Sequence, residues 1–102
     1  SFLTVLKRFG PANEAPLSFP LAGWTLTVDV PVGDPDLPRL LDRFDEQVAE
    51  VGGRIYLAKD ARMRPELLAA MYPRLAEWQE VRASVDPHGL IRSDLSERLG
   101  LS

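Results

Sequence analysis

Gly52-Gly53-Arg54-Ile55-Tyr56-Leu57-Ala58-Lys59-Asp60 is the stretch around which the rest of the chain is arranged. Two glycines interrupt what precedes them, a short apolar run follows, and the run closes on a lysine and an aspartate. Glycine enters the left-handed cap conformation without a Cβ clash, so Gly52-Gly53 reads as a helix stop. No helix follows it directly, which separates it from a phosphate-cradling glycine loop. Arg54 to Lys59 reads as a strand, with Tyr56 on the face opposite Ile55 and Leu57.

Upstream, Leu37, Leu40, Leu41, Phe44, Val48 and Val51 form one stripe at helical spacing, with Asp42, Arg43, Asp45, Glu46 and Glu50 elsewhere. Asp34 and Asp36 are candidate caps for that helix. Before it, Trp24, Leu26, Val28 and Val30 alternate with Thr25, Thr27 and Asp29, a half-buried strand with a polar face. Phe2 to Gly10 is a further strand, rich in aromatic and β-branched residues and closed by Gly10-Pro11. Downstream, Pro65 opens a short helix carrying Leu67, Leu68 and Met71. Pro73 restarts the chain as a second helix on Leu75, Trp78, Val81 or Arg82, and Val85. Asp86-Pro87-His88-Gly89 ends that helix in a turn, and Ser93 caps a last helix that stops at Gly100. The expected fold class is α+β: a small, mainly antiparallel sheet in β-β-α-β order, ferredoxin-like, with helices on one face and a helical tail. Such a sheet leaves an edge, which more chain or a second copy would cover, giving a homodimer in the latter case.

The 102 residues lie in the single-domain range, and 45% of them are hydrophobic. A net charge of -3 gives no general reason to bind phosphate backbones, so no nucleic-acid partner is expected. The charge is uneven, because residues 52–102 hold eight of the twelve basic residues. Arg54, Lys59, Arg62 and Arg64 are the densest basic run, readable as a solvated loop rim or as the neighbour of an anion or cofactor. With no cysteine, thiolate catalysis and disulfides are excluded. No apolar run approaches the ~20 residues of a membrane span. The chain is therefore expected to be soluble, cytoplasmic or peripherally membrane-associated. It begins at Ser1 and is strand-like by Phe2, which suggests a fragment of a longer protein.

His88, the single histidine, sits in a polar turn without grouped partners, so neither catalysis nor a metal site is expected there. Lys59 ends a mostly apolar strand, where an ammonium must snorkel to water or meet an anion. A salt bridge with Asp60 or a helix acid and a ligand contact both remain open. Tyr56 lies three residues away, and a strand end or bulge is needed to aim both at one ligand. Lys7 and Thr27 are polar strand residues, either solvent-facing or on a pocket wall. Trp24 and Trp78 continue apolar stripes and are read as core packing.

Leu6-Lys7-Arg8-Phe9-Gly10, Ala15-Pro16-Leu17-Ser18-Phe19-Pro20, the stretch Gly52 to Asp60, Met71-Tyr72-Pro73-Arg74 and Val85-Asp86-Pro87 together resemble the carboxyl end of FAD-linked oxidases of the vanillyl-alcohol-oxidase type, which include the aldonolactone oxidases. The nearest branch acts on a lipid-linked sugar. The resemblance implies FAD as cofactor in the intact parent, with residues 1–53 ending a substrate-binding domain and residues 54–102 returning to the FAD-binding domain. It implies that Tyr56 and Lys59 contact the flavin, that Lys59 is catalytic, and that Lys7, Thr25 and Thr27 line the substrate pocket. Thr27 departs from a cysteine and Thr25 from an asparagine expected in that branch. The implied partners are an N-terminal FAD-binding domain, a sugar or lipid-linked sugar and a reductase. The glycine-rich segments that cradle FAD are not in these residues, so this piece alone is expected to be inactive and free of FAD. The alternative is a free-standing ferredoxin-like binding or dimerisation module.

Overall fold

A computed structural model describes residues 3–102. Its first element is a two-stranded antiparallel ribbon, β1 (Thr4–Phe9) and β2 (Gly23–Val28). Thr4 pairs with Val28, Lys7 with Thr25 and Phe9 with Gly23. Phe2, where the sequence reading starts the strand, lies outside the described residues. The Asp29 amide donates to the Leu3 carbonyl and carries the ladder one step past β2. Because side chains alternate along a strand, Leu6, Trp24, Leu26 and Val28 share one face, and Val5, Lys7, Phe9, Thr25 and Thr27 share the other.

The helix read from the stripe is α1 (Leu37–Glu50), with Asp36 at its N-cap and proline in its first turn. Asp36 makes no side-chain cap hydrogen bond; the Asp34 carboxylate instead accepts the Asp36 amide at 2.8 Å. Gly52 takes φ +75°, the Gly52 amide donates to the Ala49 carbonyl and the Gly53 amide to that of Val48, the double bond of a Schellman stop. Two one-turn 3₁₀ segments follow, Leu57–Lys59 and Pro65–Leu67. Then come α2 (Leu68–Met71), α3 (Leu75–Val85) and α4 (Asp94–Arg98). Ser93 caps α4 in a reciprocal box with Ser96, and Gly100 at φ +69° ends it.

The α+β class stands, but the third strand and the ferredoxin-like β-β-α-β order do not form. Between Gly53 and Asp60 the polar groups are met by side chains and by a turn. The Arg54 guanidinium donates to the Ser18 carbonyl at 2.6 Å, and the Ile55 carbonyl accepts the Tyr72 hydroxyl at 2.7 Å. The Lys59 amide donates to Tyr56 O and the Asp60 amide to Leu57 O, closing a 3₁₀ turn. Backbone groups so satisfied need no ladder partner.

The core sits in the second half of the chain. Met63, Leu68, Met71, Tyr72, Leu99 and Leu101 are buried together, with Leu17, Val48, Ile55, Leu75, Trp78 and Leu95 packed around them. Trp78 is thus a core-edge residue, as its stripe indicates. Of the two candidates on α3, Arg82 turns inward and Val81 stays exposed. Trp24 is the correction: it is 67% exposed, and Leu6 and Leu26 beside it are each 63% exposed. An amphipathic strand reports which residues share a face, and burial additionally requires a layer to cover it; here nothing does. The radius of gyration, 14.9 Å, exceeds the ~13 Å of a compact domain this size because the ribbon stands away from the helical core.

Candidate functional site

The four cations of the Arg54–Arg64 run meet different fates. Arg62 bridges Asp42 at 2.5 Å and Asp45 at 2.8 Å on α1, and Arg64 pairs with Glu46 one turn on. These contacts clip the chain after Asp60 onto the acidic side of α1. Arg54 reaches back to Ser18 and lies over the Tyr72 ring, 5.2 Å from its centroid, with its Nε buried and without a hydrogen-bond partner. Lys59 is the remaining one. Its side chain is exposed and, among the described residues, makes no hydrogen bond or ion pair.

The surface-pair reading of Lys59 required Asp60 or a helix acid as its partner, and Asp60 is fully occupied. Its Oδ1 accepts the Arg62 and Met63 amides at 3.0 and 2.8 Å, and its Oδ2 accepts Arg98 Nη2 at 2.7 Å. Burial alone would raise the Asp60 pKa, but the two backbone amides and the Arg98 hydrogen bond and charge outweigh it and hold the carboxyl below its ordinary value. The carboxylate is 3% exposed and belongs to Arg98.

The 3₁₀ turn also sets where Tyr56 and Lys59 lie relative to each other. In a straight strand, residues three apart point to opposite faces. A 3₁₀ turn has three residues per revolution, so Lys59 comes round to the side from which Tyr56 enters. Tyr56 is 46% exposed and packs its ring on Phe19, centroids 5.0 Å apart, while Phe19 meets Phe9 edge-on at 5.7 Å. Phe9 stands on the ribbon face that carries Lys7, Thr25 and Thr27.

The structure therefore gathers the five candidate residues into two groups joined by aromatic rings. Lys7 and Thr25 are directly opposed, with Thr27 two positions along the same face; Tyr56 and Lys59 share a turn. Phe9–Phe19–Tyr56 links the two groups. Phe19 and Arg98 were not singled out from sequence. Phe19 lies in an aperiodic loop and Arg98 on a five-residue helix, and neither place carries a pattern that marks a partner 37 or 38 residues away. His88 is exposed in its turn. Among the described residues no group of three or more histidine, aspartate and glutamate side chains could hold a metal ion, and no helix is long and apolar enough to cross a membrane.

The unit thus combines a ribbon face bearing Lys7, Thr25 and Thr27, an aromatic bridge and a turn whose lysine is exposed and, among the described residues, unpaired. The family model for D-arabinono-1,4-lactone oxidase matches residues 8–99, and the chain belongs to that family, in keeping with the FAD-linked oxidase resemblance of its five motifs. It is 50% identical over 101 residues to the decaprenylphosphoryl-β-D-ribose oxidase of Mycolicibacterium smegmatis, covering 99% of this chain and 22% of that protein. It is 53% identical over 97 residues to an uncharacterised protein encoded in the mprA 5′ region of Streptomyces coelicolor, covering 95% of this chain and 26% of that protein. The chain thus spans about a quarter of the length of these relatives.

Proposed function

We propose that the chain is the carboxyl-terminal part of an FAD-dependent oxidoreductase that oxidises a sugar alcohol, with a lipid-linked ribose such as decaprenylphosphoryl-ribose as the substrate suggested by the Mycolicibacterium relative. The observation that carries this reading is the Lys59 ammonium, exposed beside Tyr56 with its neighbouring carboxylate already taken. FAD fits that donor set: an uncommitted cation and a half-exposed phenol ring suit an electron-poor ring system that gains negative charge on reduction. Residues 1–53 belong to the substrate-binding domain and residues 54–102 return to the FAD-binding domain. The helical core beyond residue 54 and the outlying ribbon before it support that division.

When bound, FAD would supply the two-electron acceptor for the hydride that leaves the carbinol carbon, the hydroxyl proton passing to solvent, as the alcohol becomes a ketone. Lys59 contributes a fixed positive charge, which favours the reduced cofactor and raises its potential. Tyr56 offers a ring edge and a hydroxyl on the same turn. Lys7 and the hydroxyls of Thr25 and Thr27 orient the polar groups of the sugar from one ribbon face, and Phe9 and Phe19 keep the passage between the two groups apolar. The exposed face of Leu6, Trp24 and Leu26 is where the rest of the substrate-binding domain would pack. The 102 residues alone would neither hold FAD nor turn over, and a reductase partner would serve the intact protein.

The test is the full-length protein carrying these residues. It is expected to purify yellow, and Lys59→Ala is expected to keep the flavin and the fold while slowing single-turnover flavin reduction on the order of 10²-fold, the usual cost of removing one preorganised electrostatic group. Reduction at the wild-type rate in Lys59→Ala would refute the role.

A further inference from the structure

Asp60 follows Lys59 in the chain, and a carboxylate so placed is the natural partner of the ammonium. The structure directs it elsewhere. Arg98 crosses 38 residues of sequence from the end of α4 to take Asp60 Oδ2 at 2.7 Å, and the same guanidinium donates to the Met63 carbonyl at 2.6 Å. The Arg62 and Met63 amides hold Oδ1. Every contact of the carboxylate therefore faces the chain that follows it, and the side chain is 3% exposed while Lys59 is open to solvent.

We propose that Arg98 is a positioning residue that acts through Asp60: by sequestering that carboxylate it keeps the Lys59 ammonium uncompensated and available to an electron-rich or anionic part of the ligand. The inference rests on the role of Lys59 given above and adds a control on it. Without Arg98, the Asp60 carboxylate has lost its cation and is released to compensate the adjacent Lys59, whose charge is then cancelled where it is needed. The effect of Arg98 runs through Asp60 and depends entirely on that carboxylate being negative.

That dependence makes the proposal testable by rescue, with the flavin midpoint potential of the full-length protein as a readout independent of turnover. Arg98→Met is expected to slow flavin reduction and to lower the potential by about 30 mV, a tenfold change in the equilibrium of a two-electron couple. Asp60→Asn keeps an Oδ1 acceptor for the Arg62 and Met63 amides and removes the charge. In the Arg98→Met background it is expected to restore both potential and rate, and Arg98→Met is expected to add nothing to Lys59→Ala. An Arg98→Met potential equal to wild type, or a depressed potential that Asp60→Asn does not restore, overturns the proposal and leaves the Lys59 reading intact. A wild-type potential in Lys59→Ala overturns both. If Arg98→Met does not retain flavin, Arg98→Gln carries the test, since a neutral amide can still donate a hydrogen bond but supplies no cation to Asp60. A potential lowered in Arg98→Gln and restored by Asp60→Asn supports the inference, and one unchanged in Arg98→Gln overturns it.

Discussion

Tyr72 shows how one side chain fixes the entrance to the site. It is fully buried, its hydroxyl donates to the Ile55 carbonyl at 2.7 Å, and Arg54 lies over its ring. Burial raises its pKa to about 12, with the Arg54 charge pulling the other way. Tyr72→Phe keeps the ring and leaves the Ile55 carbonyl unpaired. It is expected to cost about 1–3 kcal/mol in urea unfolding, the penalty of a buried group that has lost its partner. A loss well below that would mean that the carbonyl finds water. At this scale the sequence identified Tyr56 and Lys59 as residues worth following but could not decide between a surface ion pair and a ligand contact for the lysine. Arg98, remote in sequence, takes the Asp60 carboxylate, so the ion pair between Lys59 and Asp60 does not form.

Among the elements, α1 and its stop are the clearest case of local sequence dictating structure. Its apolar stripe, its acidic cap residues and Gly52-Gly53 all act within a few residues of one another. A Cβ on Gly53 would lie 2.9 Å from Val48 Cγ1 and 3.1 Å from the Val48 carbonyl oxygen. Gly53→Ala is therefore expected to destabilise the chain by about 1–3 kcal/mol through overpacking against helix backbone, read as a lower urea midpoint with an unchanged slope. A neutral result would show that the end of α1 shifts freely. The stretch after it is the opposite case. Arg54 to Lys59 has the alternation of a strand, yet strand formation requires a neighbouring edge, which periodicity does not supply. The Tyr72 hydroxyl on the Ile55 carbonyl and the 3₁₀ turn satisfy the backbone groups of this stretch instead.

In the whole molecule, ion pairs between distant segments hold the Asp60 and α4 regions together, and they give stability a predictable pH dependence. Asp60 and Asp86 both have lowered pKa values. For Asp60, two amides and Arg98 outweigh burial. For Asp86, the Ile91 and Leu90 amides act first, then the Arg82 and Arg92 charges. Between the folded and unfolded values the unfolded chain binds more protons, so stability rises with pH across that window. The contribution is complete above the ordinary carboxylate range and is lost as the pH falls through the folded values. Thermal unfolding followed from neutral to acid pH is expected to show a falling midpoint below the ordinary carboxylate pKa, shallower in Asp60→Asn; a flat profile would contradict both assignments. The sequence by itself determined the helices, their stops, the Ser93 cap and the two faces of each ribbon strand, because each of these is set by contacts within one turn or one alternation. Only the tertiary structure decided that Trp24 stays exposed, that Phe9, Phe19 and Tyr56 bridge the two halves, and that Lys59 is left without an ion-pair partner among the described residues. Each of those outcomes depends on which remote group arrives first at a shared surface or charge, and short-range periodicity carries no record of that.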